Sequence, residues 1–129
     1  MRVWLYARLS NDDDREMNSL LNQREICQAF AEQHGYIIVG QSFDDNISGM
    51  SFDRRGLDEL MAAVDADKID AVIVKDLSRL GRHRTQTALF IDYLREHQVR
   101  VISATEGVDT FRDEDDLIIG VRGLMNDYY

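Results

Sequence analysis

The sequence predicts an α/β domain built on a mainly parallel sheet with helices on both faces. Three observations carry that expectation. Strand-like runs rich in apolar and β-branched residues recur at 3–7, 36–43, 71–74 and 99–104. Stretches with apolar residues three and four apart lie between them, the alternation expected of crossover helices joining parallel strands. Polar segments carrying serine and arginine follow the first and third runs, at the strand ends where such sheets place ligands.

In chain order, residues 3–7 form a buried central strand that runs out through Arg8 and Ser10 into a loop. Residues 11–14 supply helix-capping groups, and an amphipathic helix over 19–34 stops at Gly35. After the strand at 36–43, residues 44–49 are turn-rich and predict a surface loop. A helix follows with Leu57, Leu60, Met61 and Val64 on one face. The strand at 71–74 leads into the polar loop 75–82, then a helix marked by Thr87, Ile91 and Leu94, then the strand at 99–104. The last stretch places Leu117, Val121, Leu124 and Tyr128 on one helical stripe, with Ile118, Met125 and Tyr129 on a second. Such a helix needs more than one partner surface, and its lack of a stop signal leads us to expect a fragment of a longer protein.

With 129 residues and 44% hydrophobic content, the chain is expected to form one domain over 1–129. No apolar run has the ~18 residues of a membrane span and no signal peptide is visible, so a cytoplasmic location is the expectation. Cys27 sits at helical spacing with Leu20, Phe30 and Ala31 and reads as a core residue. A net charge of −9 argues against a domain that grips DNA by itself, since backbone affinity comes from neutralising phosphates. Yet of the 15 basic residues only Lys68 and Lys75 are lysine, and arginine is the side chain suited to bidentate phosphate contacts.

Ser10, two residues after Arg8 at one strand mouth, and Arg79 and Arg82, three apart at another, form a set able to surround a phosphate. Fixed cations lower the barrier to attack on a phosphodiester by balancing charge that spreads in the transition state. Ser10 is then the nucleophile and the arginines its phosphate ligands. Activation of the hydroxyl needs a base. His34 and His97 fall at helix ends, His83 reads as a capping or solvent-facing residue, and Asp76 or a transiently neutral arginine are the alternatives. The acidic groups at 12–14 and 113–116 read as helix caps, while Asp44-Asp45 reads either as a turn pair or as metal-binding or phospho-acceptor aspartates.

Tyr6-Ala7-Arg8-Leu9-Ser10 resembles the Tyr-x-Arg-x-Ser opening of the serine recombinases, the group that holds resolvases, invertases and large serine integrases. The likeness continues through Ser19-Leu20-Leu21-Asn22-Gln23-Arg24, Ser48-Gly49, Asp53-Arg54-Arg55-Gly56-Leu57 and Val74-Lys75-Asp76-Leu77-Ser78-Arg79-Leu80-Gly81-Arg82. It implies a resolvase-like three-layer fold ending in the start of a long C-terminal oligomerisation helix. It also implies Ser10 as nucleophile, Arg8, Arg79 and Arg82 as phosphate ligands, Arg54 as a further cation and Gln23 as a supporting polar residue. Ser78 stands where small resolvases carry aspartate, and the wording of residues 77–82 is closer to the transposase-like members. The reaction so implied is DNA cleavage and rejoining through a 5′-phosphoserine with no metal or nucleotide cofactor. Its partners are DNA, bound through the full-length protein, and other copies in a homodimer and synaptic tetramer; no membrane is involved. Two other classes are weighed beside it: an inactive recombinase-like oligomerisation module, and a phospho-acceptor signalling domain built on Asp44 or Asp45.

Overall fold

The computed structural model describes residues 1–10, 13, 15–46, 54–81 and 84–112. Its elements run β1 (Arg2–Ser10), α1 (Arg15–Asn18), α2 (Leu20–Gln33), β2 (Ile37–Asn46), α3 (Arg55–Asp65), β3 (Ala71–Val74), a 3-10 turn (Leu77–Leu80), α4 (Arg84–Glu96), β4 (Arg100–Ser103) and β5 (Val108–Asp109). The strands form one sheet in the order β2-β1-β3-β4-β5. The first four are parallel and β5 returns antiparallel to β4. The predicted three-layer α/β class is therefore the class observed.

Side-chain alternation along β1 explains the layers. Val3 and Leu5 pack with Cys27 and Ala31 of α2 on one face. Tyr6 packs with Leu60 and Val64 of α3 and with Ile91 and Leu94 of α4 on the other. Burying an aliphatic side chain of this size contributes roughly 1.5–3 kcal/mol, and Leu60 and Leu94 are each 0% exposed. Cys27 belongs to this core as expected: burial pushes its thiol up to about 12.

From β1 the chain moves outward to β2 and then back across to β3 on the other side, so the strand order reverses between β1 and β3. A crevice at the carboxyl ends of two such strands is the usual ligand position in open parallel sheets. Ser10 ends β1, and the Leu77–Leu80 turn follows β3.

Several boundaries differ from expectation. The first strand continues through Ser10, because Arg8, Leu9 and Ser10 pair with Asp44, Asp45 and Asn46 of β2. Asp44 and Asp45 thus lie in a strand and not in the predicted surface loop. Helix α2 starts at Leu20, with the Ser19 hydroxyl accepting from the Asn22 N–H at 3.0 Å, and a separate short α1 precedes it. Gly35, at φ +70°, takes the left-handed conformation that stops the helix. The β5 return was not anticipated, since a two-residue strand carries almost no periodicity. The expectations on Arg82, His83, Ser48, Gly49, Asp53, the acidic group at 113–116 and the final helix lie outside the described residues.

Candidate active site at the ends of β1 and β3

Arg79 organises the site. It is 4% exposed and spends its guanidinium on four neighbours. Nη1 donates to the Arg8 carbonyl at 2.9 Å and to Asp13 Oδ2 at 2.7 Å, and Nη2 donates to Asp76 Oδ2 at 3.2 Å and Asn18 Oδ1 at 3.3 Å. Burial alone drives the guanidinium toward neutrality, but the Asp13 and Asp76 carboxylates outweigh it and raise its pKa above the ordinary arginine value. The two carboxylates thus favour the charged form of Arg79 over the transiently neutral base that the sequence left open. The local cause of its position is the 3-10 turn: Asp76 caps it, accepting from the Ser78 N–H at 3.1 Å, while Glu106 accepts from the Leu77 N–H at 2.9 Å.

Ser10 reaches Arg79 through a shared partner. Asp13 Oδ2 accepts from the Ser10 N–H at 2.9 Å and from the Ser10 hydroxyl at 3.2 Å, while the same oxygen receives Arg79. Asp13 does not cap a helix, as the reading of residues 12–14 expected; it closes a turn onto Ser10, its own N–H donating to the Ser10 carbonyl at 3.2 Å. Burial raises the Asp13 carboxyl, but hydrogen bonds from Arg79 and from the Ser10 backbone and hydroxyl prevail and hold it below the usual carboxylate range.

Arg8 lies two residues before Ser10, on the same side of β1 by strand alternation. One Arg8 guanidinium nitrogen donates to the Ser78 carbonyl. Arg8, Arg54 and Arg79 all line one groove of about 650 Å³, whose wall includes Tyr6, Asp44, Leu57 and Gly81. Ser10 is not part of that lining. Gln23 is 0% exposed and serves the backbone: its Oε1 accepts from the Arg8 N–H at 3.2 Å, and its Nε2 donates to the Arg8 and Asn18 carbonyls at 2.9 and 2.8 Å. It therefore positions Arg8 and does not reach the groove. Arg54 is exposed at the residue before α3. That helix start is fixed by Asp44, whose Oδ1 accepts from the Gly56 N–H at 2.7 Å and whose Oδ2 accepts from the Leu57 N–H at 3.0 Å and the Tyr6 hydroxyl at 2.7 Å.

Sequence reasoning missed three contributors. Asp13, three residues after Ser10, carried a turn signal that helix capping obscured. Asn18 accepts from both Arg79 and Lys75. Lys75 donates to the Met17 carbonyl at 2.6 Å and to Asn18 Oδ1 at 2.8 Å, joining the end of β3 to α1. This placement also weighs against a phospho-acceptor: Asp44 is 1% exposed with both oxygens engaged, and Lys75 turns to α1 and α2.

Fold and site together define an α/β domain with a hydroxyl and guanidinium groups gathered where the strand order reverses. The family model for the resolvase N-terminal domain matches residues 3–129, and the chain belongs to that family. It is 29% identical to the Tn3 transposon resolvase of Escherichia coli over 121 residues, 94% of this chain and 60% of that protein. It is 30% identical to the serine recombinase gin of Escherichia phage Mu over 105 residues, 81% of this chain and 48% of that protein. The chain thus spans about half to three fifths of the length of these relatives. Among solved structures, a resolvase family site-specific recombinase from Streptococcus pneumoniae superposes with a TM-score of 0.79 at 28% identity, covering 99% of this chain and 87% of that one. The N-terminal catalytic domain of TP901-1 integrase gives the same TM-score at 23% identity over 99% and 95% of the two chains, a likeness that bears on fold alone.

Proposed function

We propose that this chain is the catalytic domain of a serine recombinase, in which Ser10 attacks a DNA backbone phosphate held by Arg8, Arg54, Arg79 and Arg82. The observation that carries the proposal is the convergence of the Ser10 hydroxyl and the Arg79 guanidinium on one carboxylate oxygen. An anion's oxygen already sits between the hydroxyl and the cation, and Arg79 also lines the groove to which Arg8 and Arg54 contribute. A phosphate oxygen makes the same demand on geometry and charge.

Ser10 Oγ forms a bond to phosphorus as the bond to the 3′ oxygen breaks, giving a 5′-phosphoserine and a free 3′-hydroxyl. The ester conserves the energy of the phosphodiester, so rejoining needs neither ATP nor a metal ion. Arg79, held cationic by two carboxylates, offers a charge to the transition state, and Gln23 keeps the Arg8 backbone in register. With a net charge of −9, the domain leaves the grip on DNA to other parts of the full-length protein. Assembly into a dimer and synaptic tetramer through the C-terminal helix, on DNA in the cytoplasm, completes the proposal.

The test uses duplexes that the full-length protein selects from a random-sequence pool. Wild type is expected to give a covalent protein–DNA adduct in a denaturing gel, and Ser10→Ala none. An adduct that persists in Ser10→Ala contradicts the assignment, and selection of duplexes that the wild type never cleaves favours the inactive oligomerisation module.

A further inference from the structure

The Asp13 and Asp76 carboxylates favour the charged form of Arg79, and Asp76 gives its oxygens to Ser78 and Arg79. The group in contact with the Ser10 hydroxyl is Asp13. Resting on the assignment of Ser10 as nucleophile, we propose that Asp13 is a further catalytic residue: its Oδ2 takes the Ser10 proton as Oγ attacks phosphorus.

The geometry supplies the parts. Asp13 Oδ2 lies 3.2 Å from Ser10 Oγ, within reach of the proton to be moved, and its 2.9 Å bond from the Ser10 N–H fixes the carboxylate against the nucleophile's own backbone. The side chain is 15% exposed, which keeps bulk water from competing for that proton. Among the described residues, the charged groups facing it are Arg79 from the turn after β3 and, across the same guanidinium, Asp76.

The arrangement also times the transfer. At rest, the hydrogen bond from Arg79 is the strongest influence lowering the Asp13 carboxyl, so the carboxylate is a poor base. A phosphate that draws Arg79 Nη1 onto its own oxygen removes that influence while the two Ser10 hydrogen bonds stay. Asp13 then becomes more basic when substrate arrives, and serine is activated only with phosphate in place. In the forward step the Oγ–H proton passes to Asp13, the Oγ–P bond forms, and the P–O3′ electron pair leaves with the 3′ oxygen, which takes a proton from water. In rejoining, the 3′-hydroxyl returns its proton to solvent as its oxygen bonds to phosphorus, the P–Oγ electron pair leaves with Oγ, and Asp13 returns its proton to Ser10.

Single-turnover cleavage by the full-length protein, at saturating concentrations of the selected duplexes, tests this. Asp13→Asn keeps the size and an acceptor oxygen but takes up no proton; its cleavage is expected to fall by about 10²–10⁴-fold with duplex affinity unchanged. A rate within threefold of wild type overturns the proposal, and so does a faster rate, which would make Asp13 a blocking anion only. A substrate with sulfur as the bridging leaving atom separates the two proton transfers: Asp13→Asn is expected to remain slow, and full recovery overturns the proposal by moving Asp13 to the leaving group. Should Asp13→Asn fail to fold, Asp13→His decides, because imidazole titrates near ~6.5. Its cleavage is expected to decline below that pH where wild type does not, and a profile matching wild type overturns the proposal. Ser10→Ala run alongside keeps the two claims apart: it abolishes the adduct if Ser10 is the nucleophile, whatever Asp13 does.

Discussion

Gln23 brackets the backbone of Arg8, accepting from its N–H at 3.2 Å and donating to its carbonyl at 2.9 Å across a gap of 15 residues. The same Arg8 carbonyl also receives Arg79 at 2.9 Å. The backbone of one residue of β1, Arg8, is therefore the common reference for helix α2, strand β1 and the turn after β3, and the site inherits its geometry from that junction.

Replacing Gln23, itself 0% exposed, with Leu strands the part-buried Arg8 N–H and Asn18 carbonyl. Each orphaned buried group costs roughly 1–3 kcal/mol, so a loss on the order of 2–4 kcal/mol is expected in urea unfolding. Cleavage is expected to fall further than stability, by about 10²-fold, because small displacements of a positioned cation are amplified in rate.

Arg79→Ala leaves Asp13 and Asp76 facing one another without their shared cation. Breaking a fully buried pair costs ~3–5 kcal/mol; with Asp13 and Asp76 15% and 24% exposed, we expect a loss on the order of 2–4 kcal/mol. Arg79→Lys is expected to recover part of the stability but little cleavage, since one ammonium does not reproduce a fork that reaches four acceptors. Thermal melts and adduct yield, measured side by side, check both.

Gly56 lies against β2 so closely that an added Cβ would stand 2.3 Å from the Phe43 carbonyl oxygen. Gly56→Ala is expected to push the start of α3 off Asp44 and to cost on the order of 1–3 kcal/mol, as overpacking does. Asp44→Ala removes the acceptor for the Gly56 and Leu57 N–H groups and for Tyr6, and is expected to destabilise by a similar amount. Because Arg54 immediately precedes this helix, both variants are also expected to weaken duplex cleavage.

The Asp13 carboxyl is held below its ordinary value in the folded chain, so the native state binds that proton less readily than the unfolded one. Its contribution to stability is present above the ordinary aspartate pKa of about 3.9 and is lost as pH falls through the depressed value. Asp70, lowered by its hydrogen bonds from Arg2, acts in the same direction and is common to wild type and variant. The stability advantage of wild type over Asp13→Asn is therefore expected to be constant from pH 7 to 5 and to shrink as the solution is acidified below about 4. Urea titrations across that range measure it.

The parallel sheet was legible because apolar runs and helical periodicity are local signals: Leu60, Val64, Ile91 and Leu94 bury as their spacing requires. That Ser10, Arg8 and Arg79 gather at one end of the sheet was legible because they follow or end its central strands. The wiring between them was not. Asp13 meets Arg79 across 66 residues and Lys75 meets Asn18 across 57, contacts that no local pattern encodes. Asp44 was misread for a related reason: its turn-forming chemistry is local, but its pairing with Arg8 and its capping of α3 are tertiary.

The most direct measurement maps the attachment point in the covalent adduct. The full-length protein is trapped on its selected duplex, digested with nuclease and protease, and its peptides are weighed. The expected result is a nucleotide-bearing peptide with the modification on Ser10, lost in Arg79→Ala. A nucleotide on any other residue, or adduct formation at full yield without Arg79, would contradict the claim that this hydroxyl and this guanidinium share one phosphate.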